Sequence, residues 1–258
     1  MVVATSPPSQ PYRSQPDGGQ SDRGQSDRGQ DGPGCLGTRL SRFDPVERWV
    51  HWLSAGLFLI LLATGAILNI GSLALLVGRR DLVRQIHVYA GLVLIVPVLI
   101  ALAGKWGKGL RADLARLNRW DNEDRRWLRC WGRDPMLAPG KFNAGQKLNT
   151  AFTGGAAVVM LATGVIMRWF SPFPLAWRTG ATFVHDLIAT ALLITIAGHV
   201  LYALGDRGAM RAMIRGWVEP GWAQSRAPRW YAELTRQDEL AGRDKLTRQD
   251  ELAGQDKI

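Results

Sequence analysis

Polar and apolar positions are gathered into blocks along this chain. Four stretches are dominated by apolar side chains: Trp49 to Val77, Val83 to Ala103, Thr150 to Met167 and Ala181 to Leu204. Each is roughly 18 to 25 residues or longer, enough for a helix to cross a hydrocarbon layer about 30 Å thick. The pattern predicts an all-α membrane protein, a bundle of four transmembrane helices with disordered polar tails. Three regions follow: a polar tail over residues 1–38, a membrane domain over 39–217, and a polar tail over 218–258. A mean hydropathy of −0.06 is then an average of membrane spans and very hydrophilic ends.

The tails repeat themselves. GQSDR at Gly19 to Arg23 recurs at Gly24 to Arg28, and LTRQDELAG from Leu234 recurs from Leu246. Neither repeat holds enough apolar surface to offset the entropy of ordering, so disorder is expected for the first. The second, with Leu234, Leu240, Leu246 and Leu252 in a polar background, is compatible with a fraying helix. Met1 to Leu40 lacks the apolar core of a cleaved signal peptide, which leaves the first span as the expected insertion signal.

A formal charge of +10 is compatible with nucleic-acid binding, but no recognition motif accompanies it. In a membrane protein basic residues mark the cytoplasmic side instead. Arg39, Arg42 and Arg48 precede the first span, the 2–3 connection is rich in Lys and Arg, and Arg207, Arg211 and Arg215 follow the fourth. The 1–2 connection offers Arg79, Arg80 and Arg84, and the 3–4 connection only Arg168 and Arg178. Both termini and the long middle loop are therefore expected in the cytoplasm. Within that loop Gly109 to Leu117 and Asn122 to Gly132 read as basic amphipathic helices for a membrane surface or a partner. Cys35 and Cys130 lack metal-ligand spacing and are expected as free thiols.

The chain has only four histidines, His51, His87, His185 and His199, and each lies near the end of an apolar block. An ionisable ring is costly in a bilayer, so four of them call for a function. Imidazole is the commonest side-chain metal ligand, and two can hold haem iron from opposite faces. Depth along the spans sorts them into two pairs, His87 with His185 and His51 with His199. In the fourth span, positions about 14 apart return to within roughly 40° of one helix face and lie about 21 Å apart along the axis. One face and two levels suit two stacked haems. Interfacial hydrogen bonding by each histidine is the alternative, and a haem-free membrane anchor would be its consequence. Gly56, Gly65, Gly91, Gly154, Gly155, Gly164 and Gly198 suit close approach of a macrocycle or ordinary helix packing. Arg84, Lys147 and Arg178 suit haem propionates or interfacial anchoring.

RFDPVERWVHW (Arg42 to Trp52), RQIHVYAG (Arg84 to Gly91), GKFNAGQKLN (Gly140 to Asn149) and H-x13-H in the fourth span resemble the gamma subunit of respiratory formate dehydrogenase. That family belongs to the di-haem membrane cytochromes b that also serve nickel–iron hydrogenases. The resemblance spans Arg39 to Met213 and implies four helices holding two haems b. It implies His87 and His185 as ligands of the periplasmic haem and His51 and His199 as ligands of the cytoplasmic one. It further implies reduction of a quinone, menaquinone or ubiquinone, beside the cytoplasmic haem, with Asn143, Gly145 and Gln146 contributing. A helix cap is the other reading of NAGQ. The implied partners are an iron–sulfur beta subunit and a molybdenum or tungsten alpha subunit that oxidises formate. A hydrogenase cytochrome b and a free-standing quinone-reactive cytochrome remain alternatives.

Overall fold

The computed structural model describes residues 37–255; the expected N-terminal disorder and Cys35 lie outside the described residues. Four helical segments have the length and composition to cross a membrane: Pro45–Asn69, Arg80–Ala103, Ala144–Arg168 and Leu175–Leu204. They form a bundle in which the first packs on the second and the third on the fourth.

Helix α1 (Pro45–Asn69) starts at an Asp44 cap, with Pro45 in the first turn. Asp44 Oδ1 accepts from Glu47 N at 2.8 Å, and Glu47 Oε2 accepts from Asp44 N at 2.7 Å, a reciprocal capping box. The apolar block expected to run unbroken to Val77 divides at Ile70, whose backbone is extended, and resumes as α2 (Gly71–Val77). Leu75 and Leu76 on α2 are 85% and 83% exposed, which suits lipid rather than water. Gly78, at φ +67°, ends α2 in the left-handed region that glycine adopts without strain.

The second span also divides. Helix α3 (Arg80–Val93) gives way to a turn at Leu94–Ile95 and then α4 (Val96–Ala103). Pro97 is the cause: it offers no N–H to the preceding turn, and its ring crowds the carbonyl of Val93.

The middle loop carries α5 (Lys108–Leu117) and α6 (Asn122–Cys130). Both dock on α7 (Ala144–Arg168) through buried ion pairs. Lys147 on α7, 5% exposed, donates to Asp124 Oδ2 at 2.6 Å and to Arg119 O at 2.8 Å. Lys141 donates to Asp113 Oδ2 at 2.5 Å. These helices spend polar groups on internal bonds as well as on their outer face.

Helix α8 (Leu175–Leu204) is the longest span and is unbroken. Beyond it come α9 (Arg207–Arg215), α10 (Pro220–Arg226) and α11 (Pro228–Gln255). Residues 217 and 218, on either side of the expected domain boundary, form one strand. Strand β2 (Trp217–Val218) pairs antiparallel with β1 (Leu40–Ser41), so the segments before the first span and after the last are tied together. A small core gathers there from Leu40, Ala212, Val218, Ala223, Ala227 and Trp230. Ends of spans, middle loop and C-terminal helices thus share one loop-rich end of the bundle.

Candidate functional site

The four histidines form two ring pairs. His51 on α1 faces His199 on α8, with ring centroids 6.3 Å apart and planes at 63°. His87 on α3 faces His185 on α8, with centroids 6.3 Å apart and planes at 62°. The first pair lies toward the loop-rich end and the second toward the opposite end. The continuity of α8 sets their separation, about 21 Å along its axis.

That spacing has a chemical meaning. An imidazole nitrogen bonds a transition metal at about 2.0–2.1 Å. Its ring centre lies roughly 1.1 Å further back, so two imidazoles on opposite faces of one ion hold their centroids about 6.2–6.4 Å apart. Among the described residues no group of three or more His, Cys, Asp or Glu converges on a metal site. Two imidazoles then need equatorial donors from elsewhere, which a porphyrin supplies.

Two threonines orient one pair. Thr64 Oγ1 donates its single proton to Ile60 O at 2.7 Å, so towards His87 Nδ1, 2.8 Å away, it can only accept. Nδ1 therefore carries the ring proton, and Nε2 keeps a free lone pair. The same arrangement recurs on α7: Thr163 Oγ1 donates to Val159 O at 2.8 Å and accepts from His185 Nδ1 at 2.9 Å. The residue after each threonine is glycine, and a Cβ there would touch the imidazole edge, at 3.5 Å from His87 Cε1 for Gly65 and 3.6 Å from His185 Cε1 for Gly164. A methyl group fits at that distance; a longer side chain would displace the ring.

The threonines were not singled out by their sequence, yet a signal was present. LATG occurs at Leu62–Gly65 and again at Leu161–Gly164. Arg42 donates to Lys141 O at 2.6 Å, 99 positions on, and the same offset relates Phe43 to Phe142, Asp44 to Asn143 and Glu47 to Gln146. The two halves of the bundle are built alike. His51 breaks the likeness, since Thr150 stands in its place on α7. Neither His51 nor His199 hydrogen-bonds within the described residues; His51 packs edge-on against Trp52, with centroids 5.3 Å apart. Trp52 Nε1 in turn donates to Met213 O at 3.1 Å.

Asn143, Gly145 and Gln146 lie at the start of α7, at the loop-rich end. Asn143 Oδ1 accepts from Gln146 N at 2.9 Å, and Gln146 Oε1 accepts from Asn143 N at 3.0 Å. Both oxygens serve the helix cap, which leaves the two NH2 groups for another acceptor. Gly145 lies against Trp127, whose ring a Cβ would overlap at 2.7 Å. Of the three basic residues marked for propionates or anchoring, Lys147 is committed to Asp124 and Arg84 pairs with Asp81 at 2.9 Å. Arg178 keeps a buried Nε without a partner.

Arg42, 5% exposed, lies over the rings of Trp222 and Trp230 at 4.6 and 5.3 Å. Burial lowers its pKa to about 10 against the pull of Asp113 and Asp206, so it stays charged at neutral pH. It fixes the base of the first span to the C-terminal core.

A four-span bundle with paired imidazoles spaced for iron porphyrins defines a class, the membrane cytochromes b. Residues 42–216 match the family model described as prokaryotic cytochrome b561, and the chain belongs to that family. It is 28% identical over 208 residues to the formate dehydrogenase cytochrome b556(fdo) subunit of Escherichia coli (strain K12), covering 78% of this chain and 95% of the relative. It is 27% identical over 208 residues to the formate dehydrogenase cytochrome b556 subunit of Haemophilus influenzae, covering 76% and 84%. The nitrate-inducible formate dehydrogenase cytochrome b556(Fdn) subunit of Escherichia coli (strain K12) is 25% identical over 205 residues, covering 75% and 90%.

Proposed function

We propose that this chain is the membrane cytochrome b subunit of a formate dehydrogenase, carrying electrons from a periplasmic iron–sulfur subunit through two haems b to quinone. The observation that carries the reading is the pair of histidine couples, each with centroids 6.3 Å apart, at two levels of one continuous helix. Likeness to formate dehydrogenase cytochrome subunits over three quarters of the chain supports the choice of partner.

In this reading His87 and His185 hold the periplasmic haem, and His51 and His199 the cytoplasmic haem. Bound haem b supplies one-electron chemistry at iron. The chain supplies the axial imidazoles, the tautomer that exposes Nε2, and an apolar surround. Asn143 and Gln146 direct amide NH2 groups toward a menaquinone or ubiquinone carbonyl at the cytoplasmic end, and Gly145 contributes by letting Trp127 pack against that turn. With two cysteines in all, the chain has no set for an iron–sulfur cluster, so a beta subunit brings electrons and a molybdenum or tungsten alpha subunit oxidises formate. Lipid surrounds the spans in a bacterial inner membrane, with both termini cytoplasmic.

His185→Ala tests the assignment. A pyridine haemochrome assay on purified complex should give two haems per chain in the native protein and one in the variant, with the chain still in the membrane. A variant keeping two haems contradicts the ligand set. Molybdenum or tungsten in the co-purified complex supports the formate partner; nickel in their place redirects it to a hydrogenase.

A further inference from the structure

At the loop-rich end, one turn before His51, α1 buries a carboxyl that its cap does not explain. Glu47 is 7% exposed. Its Oε2 closes the capping box with Asp44 N, but its Oε1 is buried with no hydrogen-bond partner. The Asp113 carboxyl of α5, 4% exposed, lies within hydrogen-bonding reach of it. Both Asp113 oxygens are already occupied by cations: Oδ1 by Arg116 at 2.9 Å and Oδ2 by Lys141 at 2.5 Å.

Two carboxylates in contact do not both ionise cheaply away from water. Arg116 and Lys141 occupy both Asp113 oxygens, so within the pair the open place for a proton is Glu47 Oε1, from which it would donate to Asp113. That one proton satisfies the orphaned oxygen. Other charges face the pair from each neighbouring segment. Asp44 lies beside Glu47 on its own cap, Lys141 approaches from before α7, and Arg42 is within Coulombic reach of Asp113. Gly109, in the first turn of α5, brings its backbone against the Asp44 and Glu47 carboxyls.

The position gives this proton a use. Glu47 and His51 are one turn apart, about 6 Å along α1. Lys141 stands two residues before Asn143, and the Phe43 and Phe142 rings close the same corner with centroids 6.2 Å apart. Arg116, 51% exposed, joins Asp113 to solvent.

We propose that Glu47 and Asp113 form a proton-carrying pair that feeds the quinone-reduction site beside His51 and Asn143; the inference rests on the electron-transfer reading above. Quinone becomes quinol by taking two electrons from the cytochrome and two protons. For each proton, the Oε1–H bond of Glu47 breaks and a quinone O–H bond forms, leaving Glu47 as carboxylate. Water at the Arg116 mouth then protonates the pair again through Asp113. The net change is one quinone, two electrons and two solvent protons to one quinol.

Glu47→Gln separates this role from capping, because the amide oxygen keeps the bond to Asp44 N and the NH2 donates to Asp113. The experiment uses the whole complex in membrane vesicles, with haems reduced by dithionite and reoxidised by a short-chain menaquinone analogue. In the variant, haem content and dithionite reduction stay native, while reoxidation slows on the order of a hundredfold and loses its pH dependence. Redox-difference infrared spectra of the native complex should show a carboxylic C=O band that shifts in heavy water and is absent from Glu47→Gln. That readout needs only the native fold, and Asp113→Asn supplies a second variant expected to slow reoxidation as well. Native reoxidation in Glu47→Gln, or no protonated carboxyl band in the native complex, overturns the proton route alone. A native complex whose haems the quinone analogue does not reoxidise overturns the electron-transfer reading, and the proton route with it.

Discussion

At the scale of single residues, Thr64 and Thr163 make one histidine pair electronically unlike the other. An Nδ1–H bond to an oxygen acceptor raises the basicity of the imidazole at Nε2, which favours the more oxidised metal. His87 and His185 each have such an acceptor, at 2.8 and 2.9 Å, whereas His51 and His199 have none within the described residues. In the proposed arrangement a haem held by His87 and His185 would be biased towards the lower potential, and electrons would run downhill towards the loop-rich end. Replacing both threonines by valine keeps the shape and removes the acceptors. Haem content should stay native while the midpoint of that haem rises by on the order of tens of millivolts, narrowing the gap between the two. Optical redox titration of membranes reads this directly, and an unchanged midpoint would mean that the threonines only fill space. The histidines were legible in the sequence because four costly rings in apolar blocks demand an explanation, and counting depth pairs the same rings that the structure brings together. The threonines were harder to see: a hydroxyl that bonds its own helix is unremarkable until the imidazole it faces is known.

At the scale of elements, the four spans were legible as apolar blocks, but their interruptions were not read. Hydropathy is indifferent to Pro97, which is apolar and yet divides α3 from α4. It is equally indifferent to Ile70, where α1 stops in an extended residue. The polar segments concealed more. Strands of two residues carry no period, so the pairing of Leu40–Ser41 with Trp217–Val218 had no detectable signal. The C-terminal repeat forms α11, and its docked end is held partly by an ion pair between Arg229 and Asp121 at 2.8 Å. Burial opposes ionised Asp121, but the Asp124 N–H and the Arg229 guanidinium prevail and hold its carboxyl below the usual range. The sign follows. This stabilisation is fully present above about pH 4, the unfolded-state value for Asp, and is lost as pH falls through the lower folded-state value. An exposed pair contributes no more than about 1 kcal/mol, so the effect is local. Acid below about pH 4, or Arg229→Ala at neutral pH, should lower the amide protection factors at the start of α11, measured against the intrinsic rate at the same pH, while the amides of α1 and α7 remain protected. Uniform exchange across the bundle would show that α11 is not separately anchored.

At the scale of the whole molecule, the distribution of charge and the distribution of structure agree on one end. The segments before α1, between α4 and α7, and after α8 hold most of the basic residues and nearly all structure outside the spans. Part of that charge is spent internally. Lys141 and Lys147 neutralise buried aspartates, and Arg111 donates to the Leu102 and Gly104 carbonyls at 2.8 and 2.9 Å, closing the end of α4. These internal partners exist only after folding, whereas sidedness is decided as each span inserts, when every Lys and Arg still counts. The expected orientation therefore places the loop-rich end in the cytoplasm despite the internal pairing. A reporter active only in the cytoplasm should work when fused after Ile258 and fail when placed in the turn between Trp169 and Pro174. Exchange of the two signals would put the His51–His199 pair and the Glu47–Asp113 pair on the periplasmic side. Quinol formation would then draw its protons from the wrong compartment, and the electron path would have to run in the opposite direction across the bundle.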